Sequence, residues 1–185
     1  MKLSDFSDPS DIVVDLAGML TAGSSVLDLG AGQGRNSLYL ASKGFDATAV
    51  DMEDSEIAIL QRKNKEAKKK VKILQADIRK FVPEKQYDAV ISNTVLHFFT
   101  LPEIEKAIHV MKQATTKNGY NLITAYTDKN PPGKRPYLFK HDELKDFYKD
   151  WDVVLYEEKP TPWFVYPPRT KRRRNQAAYL IARKR

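Results

Sequence analysis

The strongest constraint on how this chain can fold is a repeated alternation of short apolar runs with helical spacing across its first 126 residues. SVLDL, Ser25–Leu29, leads into three glycines at alternate positions and then into helical spacing from Asn36 to Ser42 through Leu38, Leu40 and Ala41. FDATAVD, Phe45–Asp51, reads as a second strand, with a helix from about Ser55 that brings Ile57, Leu60 and Asn64 into register. VKILQA, Val71–Ala76, and YDAVISN, Tyr87–Asn93, are a third and a fourth. Thr100 with Glu103 then forms a capping box for a helix using Ile104, Ala107, Ile108 and Met111. Gly119 punctuates the chain, and YNLITAY, Tyr120–Tyr126, makes a fifth strand. Strands separated by helices need right-handed crossovers. The result is a doubly wound α/β sheet, parallel in this part, which receives ligands at the carboxyl ends of its strands.

The flanking segments read differently. DPSDIVVDLAGML predicts an amphipathic helix over about residues 8–22, with Pro9 at its first position and Val13, Leu16, Ala17 and Leu20 on one face. Seven of the ten prolines follow Asn130, and a helix is predicted through Leu144, Phe147, Tyr148 and Trp151, with His141 serving its start. Two last strand candidates, Val153–Tyr156 and Gln176–Ile181, have no helix between them and therefore pair antiparallel. At 185 residues all of this fits one domain.

Composition removes several chemistries. Without cysteine there is no disulfide, thiolate metal site or cysteine nucleophile, and no metal site is predicted. The net charge of +7 is local: eight Lys and Arg and no acid lie from Arg169 onward, which leaves the rest nearly neutral. Lys63 to Lys70 read as the solvated end of a helix. No apolar leader and no run long enough to span a bilayer is found, so the expectation is a cytoplasmic protein without membrane contact, a monomer or homodimer.

The glycine turn carries the ligand argument. Gly30, Gly32 and Gly34 are spaced G-x-G-x-G, which departs from the G-x-G-x-x-G of dinucleotide sites. Asp28, two residues ahead, would repel a pyrophosphate and favour a ligand carrying positive charge, such as the sulfonium and ammonium of S-adenosylmethionine. Asp51 ends the second strand, where it can accept from both hydroxyls of a ribose at about 1.5–3 kcal/mol. Asp77 and Ile78 put an acid and an apolar residue where an adenine edge and face would lie. The alternative is that these three acids merely cap strand ends. His97, after the fourth strand, is the candidate general base or else a structural histidine at a helix start.

VLDLGAGQGRNSLYL, AVDMEDS, QADI and SNTVLHFF together resemble the class I S-adenosylmethionine-dependent methyltransferases. GQGRNSLYL, ELKDFYKDW and the closing ARKR are similar, more narrowly, to the tellurite-resistance methyltransferase group. The resemblance implies a Rossmann-like, mostly parallel seven-stranded sheet with an antiparallel last strand. It also implies methyl transfer from S-adenosyl-L-methionine, with S-adenosyl-L-homocysteine as product. Carried over, the cofactor residues are Asp28, Gly30, Gly32, Gly34, Arg35, Asp51, Met52, Asp77, Ile78 and Asn93, with Arg35 either pairing with the methionine carboxylate or lying on a helix surface. The cofactor core would span about 25–126 and a substrate-side part about 127–185.

Two departures stand out: Ala31 takes a position where many relatives have cysteine, and the loop from Lys159 to Arg174 lacks the histidine that accompanies an arginine in the tellurite group. Arg172 best matches that arginine, so His97 and Arg172 are the catalytic candidates, and Phe98, Trp163 and Arg169 the substrate-binding ones. The loop itself is either a lid or an exposed hairpin connection. The expected acceptor is a small, anionic or metalloid molecule of the tellurite or selenite kind. Two other readings remain open: an RNA-directed methyltransferase using the basic C-terminal segment, and a non-catalytic S-adenosylmethionine-binding module.

Overall fold

The computed structural model describes residues 8–68, 70–131, 133, 135–162 and 174–185. Its strands are β1 (Ser25–Leu29), β2 (Asp46–Asp51), β3 (Lys72–Gln75), β4 (Tyr87–Asn93), β5 (Thr115–Tyr126), β6 (Asp152–Pro160) and β7 (Gln176–Arg183). They form one sheet in the order β3-β2-β1-β4-β5-β7-β6. The pairings from β3 through β5 are parallel, whereas β7 lies antiparallel to both β5 and β6. The doubly wound sheet with an antiparallel last strand is therefore present.

β1 is apolar and buried along nearly its whole length because helices cover both faces, as a parallel strand requires. On one face lie α1 (Asp11–Met19), α2 (Arg35–Ser42) and α3 (Asp54–Glu66), contributing Ile12, Val13, Leu16, Leu40 and Leu60. On the other lie α4 (Leu101–Gln113) and α5 (Glu143–Asp146), with Ile104, Ile108, Met111 and Leu144. At the start of α4 the Glu103 carboxylate accepts the Thr100 backbone N–H at 2.9 Å, as its capping box requires.

Four local expectations are corrected. α1 is capped by Ser10 and ends at Met19, so Pro9 precedes the helix instead of opening it. Gly119 lies inside β5, where a Cβ would meet the Asp88 carbonyl oxygen at 2.8 Å; it permits a close strand approach and does not punctuate. The helix expected through Trp151 is four residues long, and Tyr148 and Trp151 are buried from turns beyond it. His141 does not serve that helix: its Nδ1 lies 3.0 Å from the Glu158 carboxylate on β6.

The strand order reverses between β1 and β4, because the chain winds outward from β1 in one direction and then in the other. The carboxyl ends of these two strands leave a crevice there.

Candidate active site

A cavity of about 710 Å³ opens at this crevice, a size within the usual range for small-molecule sites. Gly30, Gly32, Arg35, Asp51, Met52, Ile78, Asn93 and Phe98, all singled out from the sequence, line it.

The glycine turn is held by β2. The Val50 carbonyl accepts the N–H groups of Gly30 and Ala31 at 2.8 and 3.0 Å, and the Asp51 carboxylate accepts the Gly32 N–H at 2.7 Å and the Glu53 N–H at 3.0 Å. Each Asp51 oxygen keeps a second lone pair for a ligand. Gly30 has φ of 77°, and a Cβ there would come within 2.4 Å of Val95, so only glycine lets the turn pass this close to the β4 edge. Gly34 does not line the cavity. It caps α2 at φ of 78° and packs against Leu60.

Asp28 lies beneath the turn, 2 % exposed, and accepts a hydrogen bond from the Ser37 hydroxyl at 2.6 Å. Burial pushes its carboxyl up to about 6, against the opposing pull of that hydrogen bond and of the nearby Arg35 charge. Asp77 also falls short of the lining. Arg79, two residues on, grips both of its oxygens at 2.7–3.1 Å and holds its pKa below the ordinary carboxylate value, so Ala76 and Ile78 face the cavity without it.

At the far wall β4 is followed by Thr94, a β-branched residue with φ of 63°, an unusual conformation that swings the chain into the 3₁₀ turn Leu96–Phe98. Phe98 therefore borders the cavity, more than half exposed. His97 does not line the cavity. It is 1 % exposed, its ring is stacked on Tyr126 at 3.9 Å, and neither nitrogen has a hydrogen-bond partner among the described residues. Burial, helped by the Arg135 charge, lowers its pKa to about 3. The imidazole is therefore neutral and weakly basic at physiological pH. Arg172, Trp163 and Arg169 lie outside the described residues, as does most of the loop expected to form a lid.

Several lining residues escaped the sequence reading: Gln33, Asn36, Glu53, Glu56, Thr94 and Val95. Ser10 is another omission. Its backbone N–H donates to the Asn36 side chain at 3.0 Å and its hydroxyl accepts from Asn93 at 2.9 Å, tying the start of α1 to two cavity walls. No local pattern marks a bond across 83 residues of sequence.

The chain matches the family of the tellurite resistance protein TehB over residues 7–162. It is 35% identical over 175 residues to the probable S-adenosyl-L-methionine-dependent methyltransferase TehB of Haemophilus influenzae, covering 93% of this chain and 61% of that protein. The crystal structure of TehB from Haemophilus influenzae matches with a TM-score of 0.83 at 34% identity, over 94% of this chain and 61% of that one. Magnesium protoporphyrin IX methyltransferase from Synechocystis PCC 6803, solved with bound SAH, shares the fold with a TM-score of 0.76 at 18% identity, over 95% of this chain and 81% of that one. The chain spans about three-fifths of the length of the TehB relatives it matches. With most of its residues inside the match, the chain belongs to the TehB tellurite-resistance family and carries the class I S-adenosylmethionine methyltransferase fold.

Proposed function

We propose that this chain binds S-adenosylmethionine in the crevice and transfers its methyl group to a small anionic or metalloid acceptor. The observation that carries the reading is Asp51: a carboxylate at the end of β2 that lines the cavity while holding the Gly32 N–H of the glycine turn. The donor set suits the cofactor. Asp51 would hold the ribose hydroxyls, Met52 and Ile78 the adenine, and the turn with Arg35 and Asn93 the methionine end, while the Asp28 carboxylate under the turn favours positive charge. Bound there, the cofactor supplies a methyl group on a cationic sulfur. The protein's share is to align the acceptor's lone pair with the methyl–sulfur bond and to exclude water.

An anionic acceptor needs no deprotonation, which fits a histidine at the β4 end with a pKa of about 3. Arg172, Arg169 and Trp163 belong to the same proposal, with the two arginines drawing in the anion. The family match to a tellurite resistance protein supports an acceptor of this class.

The test is transfer of labelled methyl from S-adenosylmethionine to tellurite, selenite, halide, thiol, carboxylate and RNA in parallel. Label in the oxyanions is the expected result. Label in RNA, with affinity that collapses as salt rises, favours the nucleic-acid reading, and tight cofactor binding without turnover favours a binding module. Asp51→Ala should weaken cofactor affinity by about 1–3 kcal/mol in calorimetry; unchanged affinity removes Asp51 from the site.

A further inference from the structure

Beside the cofactor crevice, the β4–β5 edge contains a second group of polar residues. Asn93 pairs with Thr124 across the two strands, and Tyr126, two residues further along β5, shares the Thr124 face. His97 stacks on the Tyr126 ring, and the Arg135 guanidinium carbon lies 4.5 Å from the same ring's centroid. Three buried polar atoms in this group have no hydrogen-bond partner among the described residues: the Thr124 hydroxyl and both His97 nitrogens. Orphaned groups of this kind are destabilising, and folded proteins keep few of them unless a ligand or ordered water satisfies them.

Charge narrows the choice of ligand. Arg135 is half-buried, and among the described residues it meets a neutral amide, Asn175, at 3.4 Å and no carboxylate. A neutral imidazole donates from one nitrogen and accepts at the other, and a hydroxyl can do either. The matching ligand is a small oxyanion that carries acceptor oxygens and one O–H. The group also adjoins the crevice, because Asn93 lines the cavity and the Phe98 ring, which lines it too, lies 4.4 Å from the His97 ring.

We propose that Thr124, His97 and Arg135 form the oxyanion subsite for the methyl acceptor, with Arg135 supplying charge and the other two setting orientation. This rests on the methyltransferase reading above, gives His97 an orienting role in place of a base's, and adds Thr124 and Arg135, to which neither the glycine turn nor the resemblance pointed. Titration calorimetry of selenite into the protein saturated with S-adenosylhomocysteine tests it without needing turnover. Arg135→Gln should weaken selenite by about tenfold or more and Thr124→Val by about threefold to tenfold, both with unchanged affinity for S-adenosylhomocysteine. Thr124→Val keeps the side-chain shape and removes an unpartnered hydroxyl, so the variant should fold at least as stably as the parent. Equal selenite affinity in both variants, or no selenite binding to the saturated parent, overturns the subsite and leaves ordered water as its occupant. Failure of the parent to bind S-adenosylhomocysteine overturns the methyltransferase reading and the subsite with it.

Discussion

The two edges that meet at the crevice are built on opposite plans. At the β1–β2 edge the groups that shape the turn are paired within the chain: Asp51 with the Gly32 and Glu53 N–H groups, Val50 with Gly30 and Ala31, Asp28 with Ser37. At the β4–β5 edge His97 and the Thr124 hydroxyl are buried without hydrogen-bond partners among the described residues, next to an arginine that no described carboxylate neutralises. The first edge is preorganised by its own hydrogen bonds; the second holds polar groups whose burial only a ligand or water offsets. The difference is visible in the buried ionisable group of each edge: burial lowers His97 to about 3 and leaves it neutral, whereas the Asp28 carboxyl, raised only to about 6 against the pull of Ser37 and Arg35, keeps its charge at physiological pH.

The largest expected effect belongs to His97. Its imidazole stays neutral in the folded protein down to pH about 3 but is protonated in the unfolded chain below 6.5. Its linked destabilisation is absent above pH 6.5 and grows as pH falls, reaching about 5 kcal/mol near pH 3. His97→Phe keeps a ring against Tyr126 and removes the titration. Denaturant unfolding of parent and variant should therefore diverge progressively below pH 6.5, the variant being the more acid-resistant. Parallel curves would show that the imidazole reaches solvent and that the two edges are not so different.

Gly34 tests the preorganised edge. Alanine there would hold a left-handed conformation at about 1–2 kcal/mol and would push a methyl to within 2.1 Å of the fully buried Leu60. Adding overlap of about 1–3 kcal/mol gives a total loss of roughly 2–5 kcal/mol in Gly34→Ala, measurable as a lower unfolding midpoint. Shortening Leu60 in that background should relieve the overlap and leave the backbone strain. Full recovery would mean that φ at Gly34 imposes nothing.

The same contrast explains what the sequence could tell. Gly30, Gly32 and Gly34 and the acids at strand ends are local signals, since positive φ and a strand terminus each leave a mark on the residue concerned. Asp77 shows the limit of such marks: it stands at the expected strand end, but Arg79 takes its carboxylate. The β4–β5 edge leaves almost no local trace. Thr124 and Tyr126 look like any strand residues, Arg135 lies in a proline-rich stretch, and their meeting with His97 depends on the β4–β5 register. Tyr148 misled for a related reason. Its spacing with Leu144 and Trp151 is helical, but its burial comes from docking on the sheet, where its hydroxyl donates to Asn121 at 2.9 Å, and α5 stops before it.

Asp28 offers the smallest of these effects and the most direct test of how the paired edge trades stability for charge. Its carboxyl titrates at about 6 in the folded protein against 3.8 unfolded, so between these values the native state holds a proton that the unfolded state has lost. The contribution is favourable below pH 3.8 and is lost as pH rises to 6, leaving the folded protein about 3 kcal/mol less stable above that pH than with an unshifted group. This slope is opposite in sign to that of His97. Asp28→Asn retains an oxygen for the Ser37 hydroxyl and removes the buried charge. The variant should gain up to about 3 kcal/mol at pH 7 and nothing at pH 3.5, as read by denaturant unfolding. If the charge is held under the turn for a cationic ligand, the same substitution should weaken S-adenosylmethionine more than the uncharged thioether S-adenosylhomocysteine. A variant equally stable at both pH values and equally weakened toward both compounds would mean that Asp28 only braces the turn, and that the β1–β2 edge is shaped by geometry without a buried negative charge.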